Sequence, residues 1–163
     1  KILKRERPHL LVGAGTILSV DNLEQALHAG AAFGVAPGYN PVIVQAAVKA
    51  GFPFAPGVMT PSELEQAMEH GLRVFKFFPA SAAGGVPLLK SMAAPYQHLG
   101  VRFMPTGGID LNNLKDYLEF KPVLAAGGSW IATRDDLAAG RWESIRDRCR
   151  VTVDLARRCR TAT

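Results

Sequence analysis

Lys76 stands alone as a charge within Val74-Phe75-Lys76-Phe77-Phe78, an otherwise apolar run. An ammonium drawn into an apolar interior loses the hydration that its charged form needs, so burial favours the neutral amine. A neutral lysine amine is a nucleophile toward carbonyl carbon, the requirement for Schiff-base chemistry. The other arrangement open to this residue is a lysine that snorkels from an edge strand and keeps its head in water. Aromatic neighbours on both sides favour the interior.

Two glycine pairs follow, in Pro105-Thr106-Gly107-Gly108 and in Gly127-Gly128-Ser129. Small residues at strand ends let a ligand approach the backbone, and paired loops of this kind can present N–H groups to phosphate. The second pair precedes Thr133-Arg134-Asp135-Asp136, a cap pattern for a short helix whose N-terminus would add its dipole. The plainer alternative is that the glycines only turn the chain; two pairs at consecutive strand ends favour phosphate. Gly13-Ala14-Gly15-Thr16 lacks the third glycine and the distant acid of a dinucleotide loop. No His pair has zinc spacing, and neither a Gly-x-Ser-x-Gly elbow nor a P-loop is present. His9, His28, His70 and His98 fall near helix ends or turns, where a surface role is expected. No metal and no cofactor is implied.

The elements that must position these residues recur with a period of roughly twenty. His28-Ala29-Gly30, Lys49-Ala50-Gly51 and Glu69-His70-Gly71 each close a helix on a glycine suited to a left-handed C′ position. Asp21-Asn22-Leu23-Glu24 reads as a capping box, Asn40-Pro41 as N-cap and N1, and Thr60-Pro61-Ser62-Glu63 as cap, proline and N3 glutamate together. Between the helices lie short apolar runs without alternation: 10–13, 31–36, 52–55, 73–78, 101–104 and 123–126. Such runs predict six parallel strands buried on both faces, hence an α/β domain with right-handed crossovers. Residues just past parallel strand ends gather on one rim, where such folds bind ligands. A last helix is expected from about Arg141 to Arg160. Its inward face would carry Trp142, Ile145, Cys149, Thr152, Ala156 and Cys159, with the arginines on the other side.

The 163 residues suit a single domain, and 48% hydrophobic against 20% charged residues excludes disordered, collagen-like and coiled-coil classes. A net charge of +5 suits anionic small molecules as well as nucleic acid. The arginines of the last helix lack aromatic interleaving or a basic run, which favours a solvated face over a nucleic-acid surface. Cys149 and Cys159 would lie about 15 Å apart along that helix, too far to bridge. The charge-free stretch 29–48 is broken by Pro37-Gly38-Tyr39-Asn40-Pro41, so no membrane span is expected. Four basic residues before Leu10-Leu11-Val12 faintly resemble a signal peptide, but Gly13 and Gly15 interrupt the apolar stretch. A reducing cytoplasm is the expected setting.

Val12-Gly13-Ala14-Gly15-Thr16, Pro37-Gly38, Pro56-Gly57, Phe75-Lys76-Phe77-Phe78-Pro79-Ala80, Gly84-Gly85-Val86, Pro105-Thr106-Gly107-Gly108-Ile109 and Gly127-Gly128-Ser129-Trp130 occur in a telling order. In these motifs the chain resembles the 2-keto-3-deoxy-6-phosphogluconate (KDPG) aldolases, a family that includes the 4-hydroxy-2-oxoglutarate (KHG) aldolases. The resemblance runs from about Leu11 to the end of the last helix. It implies a TIM-type (β/α)8 barrel, class I chemistry without metal or cofactor, and a homotrimer acting on a small-molecule keto acid or phosphorylated sugar acid, with neither nucleic acid nor membrane as partner. Carried over, Lys76 matches the Schiff-base lysine, while Thr16, Pro37 and Phe78 line the pyruvate part of the site. Thr106, Gly107, Gly108, Gly127, Gly128 and Ser129 match the region that holds the phosphate or distal end of the substrate.

The implied reaction is reversible cleavage of a 2-keto-4-hydroxy acid to pyruvate and glyceraldehyde 3-phosphate, or to pyruvate and glyoxylate. A base must take the proton of the substrate hydroxyl. The family places that glutamate, with an arginine, on a strand before the Gly-Ala-Gly-Thr strand, and none of Arg5, Glu6 or Arg7 lies in that motif. Residues 1–163 are therefore expected to form one partial barrel domain of about six parallel strands with outer helices. A complete barrel of this type needs about 200 to 250 residues. The expectation is a fragment or a truncated relative, and a catalytically impaired ligand-binding or assembly subunit is the alternative to a working aldolase.

Overall fold

The computed structural model describes the backbone of residues 1–161 and the side chains of residues 1–159. It divides into two compact units, Lys1–Phe78 and Pro79–Thr163.

The first unit runs α1 (Ile2–Glu6), β1 (Gly13–Ala14), α2 (Val20–Ala29), β2 (Phe33–Val35), α3 (Pro41–Lys49), β3 (Phe54–Ala55), β4 (Gly57–Val58), α4 (Pro61–Glu69) and β5 (Val74–Phe77). All its strand pairs are parallel: Gly13 lies opposite Phe33, Gly34 opposite Phe54, and Gly57 opposite Lys76. The α/β class and parallel pairing are those expected. Two of the three helix starts are also as expected. The Asn40 side chain accepts from the Val42 N–H with Pro41 following, and Thr60 with Glu63 forms a complete capping box. At α2 the cap is Ser19, whose side chain accepts from the Asn22 N–H, and not Asp21, which lies in the first turn. Gly30, Gly51 and Gly71 take left-handed φ values of 80°, 61° and 80° where the helices stop.

Each strand expected in this unit is shorter than its apolar run, and two of the differences have a local cause. The first ladder begins later than Leu10 because that residue's N–H closes a turn onto the Arg7 carbonyl, and the first cross-strand bond is Ala32 N–H to the Val12 carbonyl. The third run does not end at Pro56. Lacking an N–H, Pro56 interrupts the ladder, and the chain resumes as β4, so β3 pairs with β2 and β4 with β5.

Two- and three-residue ladders supply few hydrogen bonds, each worth about 1 kcal/mol net. Burial does more: Ile17, Leu23, Ile43, Val44, Phe52 and Phe54 form one cluster between α2, α3 and the sheet, at about 1.5–3 kcal/mol per large side chain removed from water.

The second unit contains α5 (Ala80–Ala83), α6 (Gly85–Ala93), a 3-10 helix (Ala94–Leu99), β6 (Arg102–Pro105), α7 (Leu114–Leu118), α8 (Arg134–Ala138) and α9 (Trp142–Thr161). The run 123–126 lies beside β6 but makes isolated parallel bridges, Phe103 to Val123 and Thr106 to Gly127, rather than a strand. Three steps from Phe103 to Thr106 match four from Val123 to Gly127, so one extra residue is accommodated as in a bulge, a feature common next to active sites. Helix α9 packs against α7 and α8 with a rotated face. Ile145, Arg148, Thr152, Leu155 and Ala156 are half-buried and Cys159 is buried, whereas Cys149 is exposed and Trp142 is 62% exposed. Arg148 is thus an arginine on the inward face, contrary to expectation. Among the described residues no helix is long and apolar enough to cross a membrane.

Candidate active site

In β5 the pleat separates neighbours: Phe75 and Phe77 are fully buried, and Lys76 with Val74 points to the other face, half-buried. The aromatic residues flanking Lys76 in sequence therefore do not wall its amine. Phe78 does, with Nζ 4.7 Å from its ring centroid. Burial lowers the Lys76 pKa from the ordinary lysine value, and it does so although a cation over a ring favours the charged form. No carboxylate among the described residues adds to that shift.

The strand ends around this lysine are joined by backbone contacts. The Lys76 N–H donates to the Pro56 carbonyl at 2.9 Å, and the Gly57 N–H to the Gly38 carbonyl at 3.2 Å. A Cβ on Gly57 would stand 2.1 Å from the Pro37 carbonyl oxygen. Only glycine lets the Pro37-Gly38 turn lie this close. Thr16 follows β1, and the next residue's N–H donates to the Val35 carbonyl at 3.1 Å, which holds the chain after β1 beside the last residue of β2, two positions before Pro37. Thr16 has φ 58°, the only left-handed non-glycine residue among those described. For a β-branched side chain that is a strained backbone, of the kind that concentrates at functional sites. Thr16, Pro37, Lys76 and Phe78 all belong to the first unit.

The second unit carries the six distal candidates. The Thr106 carbonyl accepts from the Ala80 N–H (2.8 Å), the Gly107 carbonyl from the Ser81 N–H (3.0 Å), and the Gly108 carbonyl from the Ser81 hydroxyl (2.5 Å) and the Asn113 side-chain amide (2.9 Å). With all three carbonyls engaged, what these residues can offer a ligand is their N–H groups and the Thr106 hydroxyl. The Thr106 Oγ1 is buried without a hydrogen-bond partner, a costly condition that a ligand would relieve. Gly127 is brought to Thr106 by the bridge and by its own N–H to the Pro105 carbonyl at 3.2 Å. Gly128 and Ser129 follow, with Gly128 under the Trp130 ring, 2.3 Å from where a Cβ would sit.

The expected contribution of the α8 N-terminus is not available. Thr133 caps that five-residue helix by accepting the Asp136 N–H, and its first turn carries Asp135 and Asp136, which repel an anion. Sequence reasoning also missed the burial of Asp136. The Thr133-to-Asp136 spacing was its one local signal; its partner Arg148 lies twelve positions on. Glu6, in α1, is exposed and ion-paired to Arg5 at 2.8 Å.

The family described as "Aldolase: KDPG and KHG aldolase" matches residues 1–148. The KHG/KDPG aldolase of Escherichia coli (strain K12) is 43% identical over 157 residues, covering 96% of this chain and 73% of that protein. The structure of KDPG aldolase from Legionella pneumophila, with pyruvate captured at low pH as a covalent carbinolamine intermediate, is 36% identical with a TM-score of 0.88, over 93% of this chain and 72% of that one. The aldolase of Zymomonas mobilis ZM4, solved with 3-phosphoglycerate, is 42% identical with a TM-score of 0.76, over 80% of this chain and 61% of that one. A family match over most of the chain and relatives at this identity and coverage carry the assignment: the chain belongs to the KDPG and KHG aldolase family of carbon–carbon lyases.

Proposed function

We propose that Lys76 forms the Schiff base in a class I aldolase reaction on KDPG or 4-hydroxy-2-oxoglutarate. The observation that carries this reading is the half-buried Nζ, lowered in pKa by burial alone, on the strand paired with the Pro56-Gly57 segment. In the reaction Nζ adds to C2 of the keto acid and water leaves, giving an iminium. The C3–C4 electrons then move into the iminium as the C4 hydroxyl loses its proton. An aldehyde departs and an enamine remains; protonation at C3 and hydrolysis return pyruvate and the free amine. Thr16, Pro37 and Phe78 bound the pyruvate end. Thr106, Gly107, Gly108, Gly127, Gly128 and Ser129 receive the phosphate or distal carboxylate, a role supported by the unpartnered Thr106 hydroxyl. Residues 1–163 act as one partial barrel domain of about six parallel strands with outer helices. A homotrimer in the cytoplasm completes the reading on the strength of the resemblance.

Borohydride added with pyruvate is expected to leave a reduced adduct on Lys76, read by mass spectrometry, and Lys76→Ala to abolish it. An intact parent chain without adduct would overturn the assignment. The second reading is a catalytically impaired relative that binds phosphate or keto acid or serves as an assembly subunit. A lactate dehydrogenase-coupled assay separates the two: trapping with background pyruvate release means imine formation without turnover, and sustained release means a working aldolase.

A further inference from the structure

Asp136 is the one charged side chain buried among the described residues, and imine chemistry at Lys76 has no use for it. Thr133 Oγ1 donates to its Oδ2 at 2.6 Å, Arg141 to its Oδ1 at 3.2 Å, and the Arg148 guanidinium to its Oδ2. The same Arg148 donates from Nε to the Ile131 carbonyl at 3.1 Å. One planar fork thus holds a carboxylate and a backbone carbonyl together, which a lysine ammonium cannot do in the same geometry. Burying an ion pair contributes little net stability compared with apolar packing of similar volume, so the arrangement points to a positional role.

The carbonyl that Arg148 holds lies two residues beyond Ser129. The loop's other end is fixed by the Thr106–Gly127 bridge and the Gly127 N–H to the Pro105 carbonyl. Only Gly128, Ser129 and Trp130 lie between the two anchors. We propose that Arg148, with Asp136, is a positioning residue that pins the outgoing end of the Gly127-Gly128-Ser129 loop and so sets its affinity for the phosphorylated end of the substrate. This rests on the distal-loop reading above and adds to it residues from α8 and α9 that touch no substrate.

The test titrates 3-phosphoglycerate into the full 163-residue chain by calorimetry and runs pyruvate trapping alongside. Arg148→Met and Arg148→Lys are expected to weaken 3-phosphoglycerate binding by roughly tenfold or more, since small displacements of positioning groups carry losses of this order. Arg141→Ala, which removes a contact to Asp136 but none to the loop, is expected to stay within about twofold, on the same reasoning that geometry and not charge is at stake. Pyruvate trapping at Lys76 is expected to be unchanged in every variant. If Arg148→Met fails to fold, Arg148→Lys decides, because it keeps a cation beside Asp136. Parent-like affinity in Arg148→Lys, equal losses in Arg141→Ala, trapping that falls in step with affinity, or no 3-phosphoglycerate binding by the parent each overturns the proposal. Absent trapping with the Arg148 dependence intact would instead remove the Lys76 reading and leave this one standing.

Discussion

Gly57 lies opposite Lys76 in the parallel β4–β5 pair, with no room for a side chain on its other flank because the Pro37 carbonyl oxygen is 2.1 Å from where a Cβ would be. The obstruction is backbone, which cannot swing aside as a side-chain tip can. Gly57→Ala is therefore expected to displace the Pro37-Gly38 turn, at a cost of about 1–3 kcal/mol for overpacking. Urea unfolding should show the loss in midpoint, and the pyruvate adduct on Lys76 should form more slowly. Parent-like trapping in a destabilised variant would mean that the Pro37 turn takes no part in holding pyruvate.

Burial of Lys76 gives a second expectation, with its sign fixed by linkage. The folded-state pKa lies below the ordinary lysine value of 10.5, so below that lowered pKa the charged amine costs stability. The cost fades as pH rises through the interval up to 10.5. Lys76→Met should raise the urea midpoint at neutral pH, and its advantage should shrink as the pH is raised through that interval. Trapping by the parent should increase with pH along a curve whose midpoint is below 10.5. A midpoint at the free-lysine value would show that the amine is fully hydrated before pyruvate arrives.

Asp136 behaves in the opposite sense. Hydrogen bonds from Thr133 and Arg148 hold its carboxyl down to about 2, from an ordinary 3.8. A carboxylate depressed in the fold contributes stability that is complete above the unfolded value and disappears as pH falls through the folded one. The parent should therefore lose stability relative to Asp136→Asn between about pH 4 and pH 2, and the gap should be flat from pH 5 to 7. Denaturation midpoints across that range supply the check, and a gap that is constant down to pH 2 would contradict the clamp.

What the sequence discloses depends on how far apart the interacting residues are. The Thr60–Glu63 box and the Asn40-Pro41 start were legible because cap and partner lie within three residues, and the glycine stops at 30, 51 and 71 because their φ is a local matter. Ser19 was overlooked in favour of Asp21 because both are good caps two positions apart, and the choice is made by where Leu23 must face the core. Strand limits were harder. Whether Leu10 or Gly57 belongs to a ladder is decided by a partner strand some twenty residues away. Lys76 was legible as a candidate, but not the pleat that sends Phe75 and Phe77 away from it. The Arg148–Asp136 contact was not legible at all, since helical spacing alone put the arginines of α9 on the outer side.

Thr16 offers a test in which stability and function should part. A threonine at φ 58° bears a left-handed strain of about 1–2 kcal/mol, which glycine would not feel. Glycine in turn loses more backbone entropy on folding, about 0.5–1 kcal/mol. Thr16→Gly should thus leave the unfolding free energy unchanged or raise it by up to about 1.5 kcal/mol, whereas Thr16→Ala keeps the strain and gains nothing. If the strained turn exists to aim the hydroxyl at the keto acid, both variants should need more pyruvate for half-maximal trapping than the parent does. Should Thr16→Gly gain stability with no change in that concentration, the strain serves the turn after β1 alone, and the pyruvate end would be left to Lys76, Pro37 and Phe78.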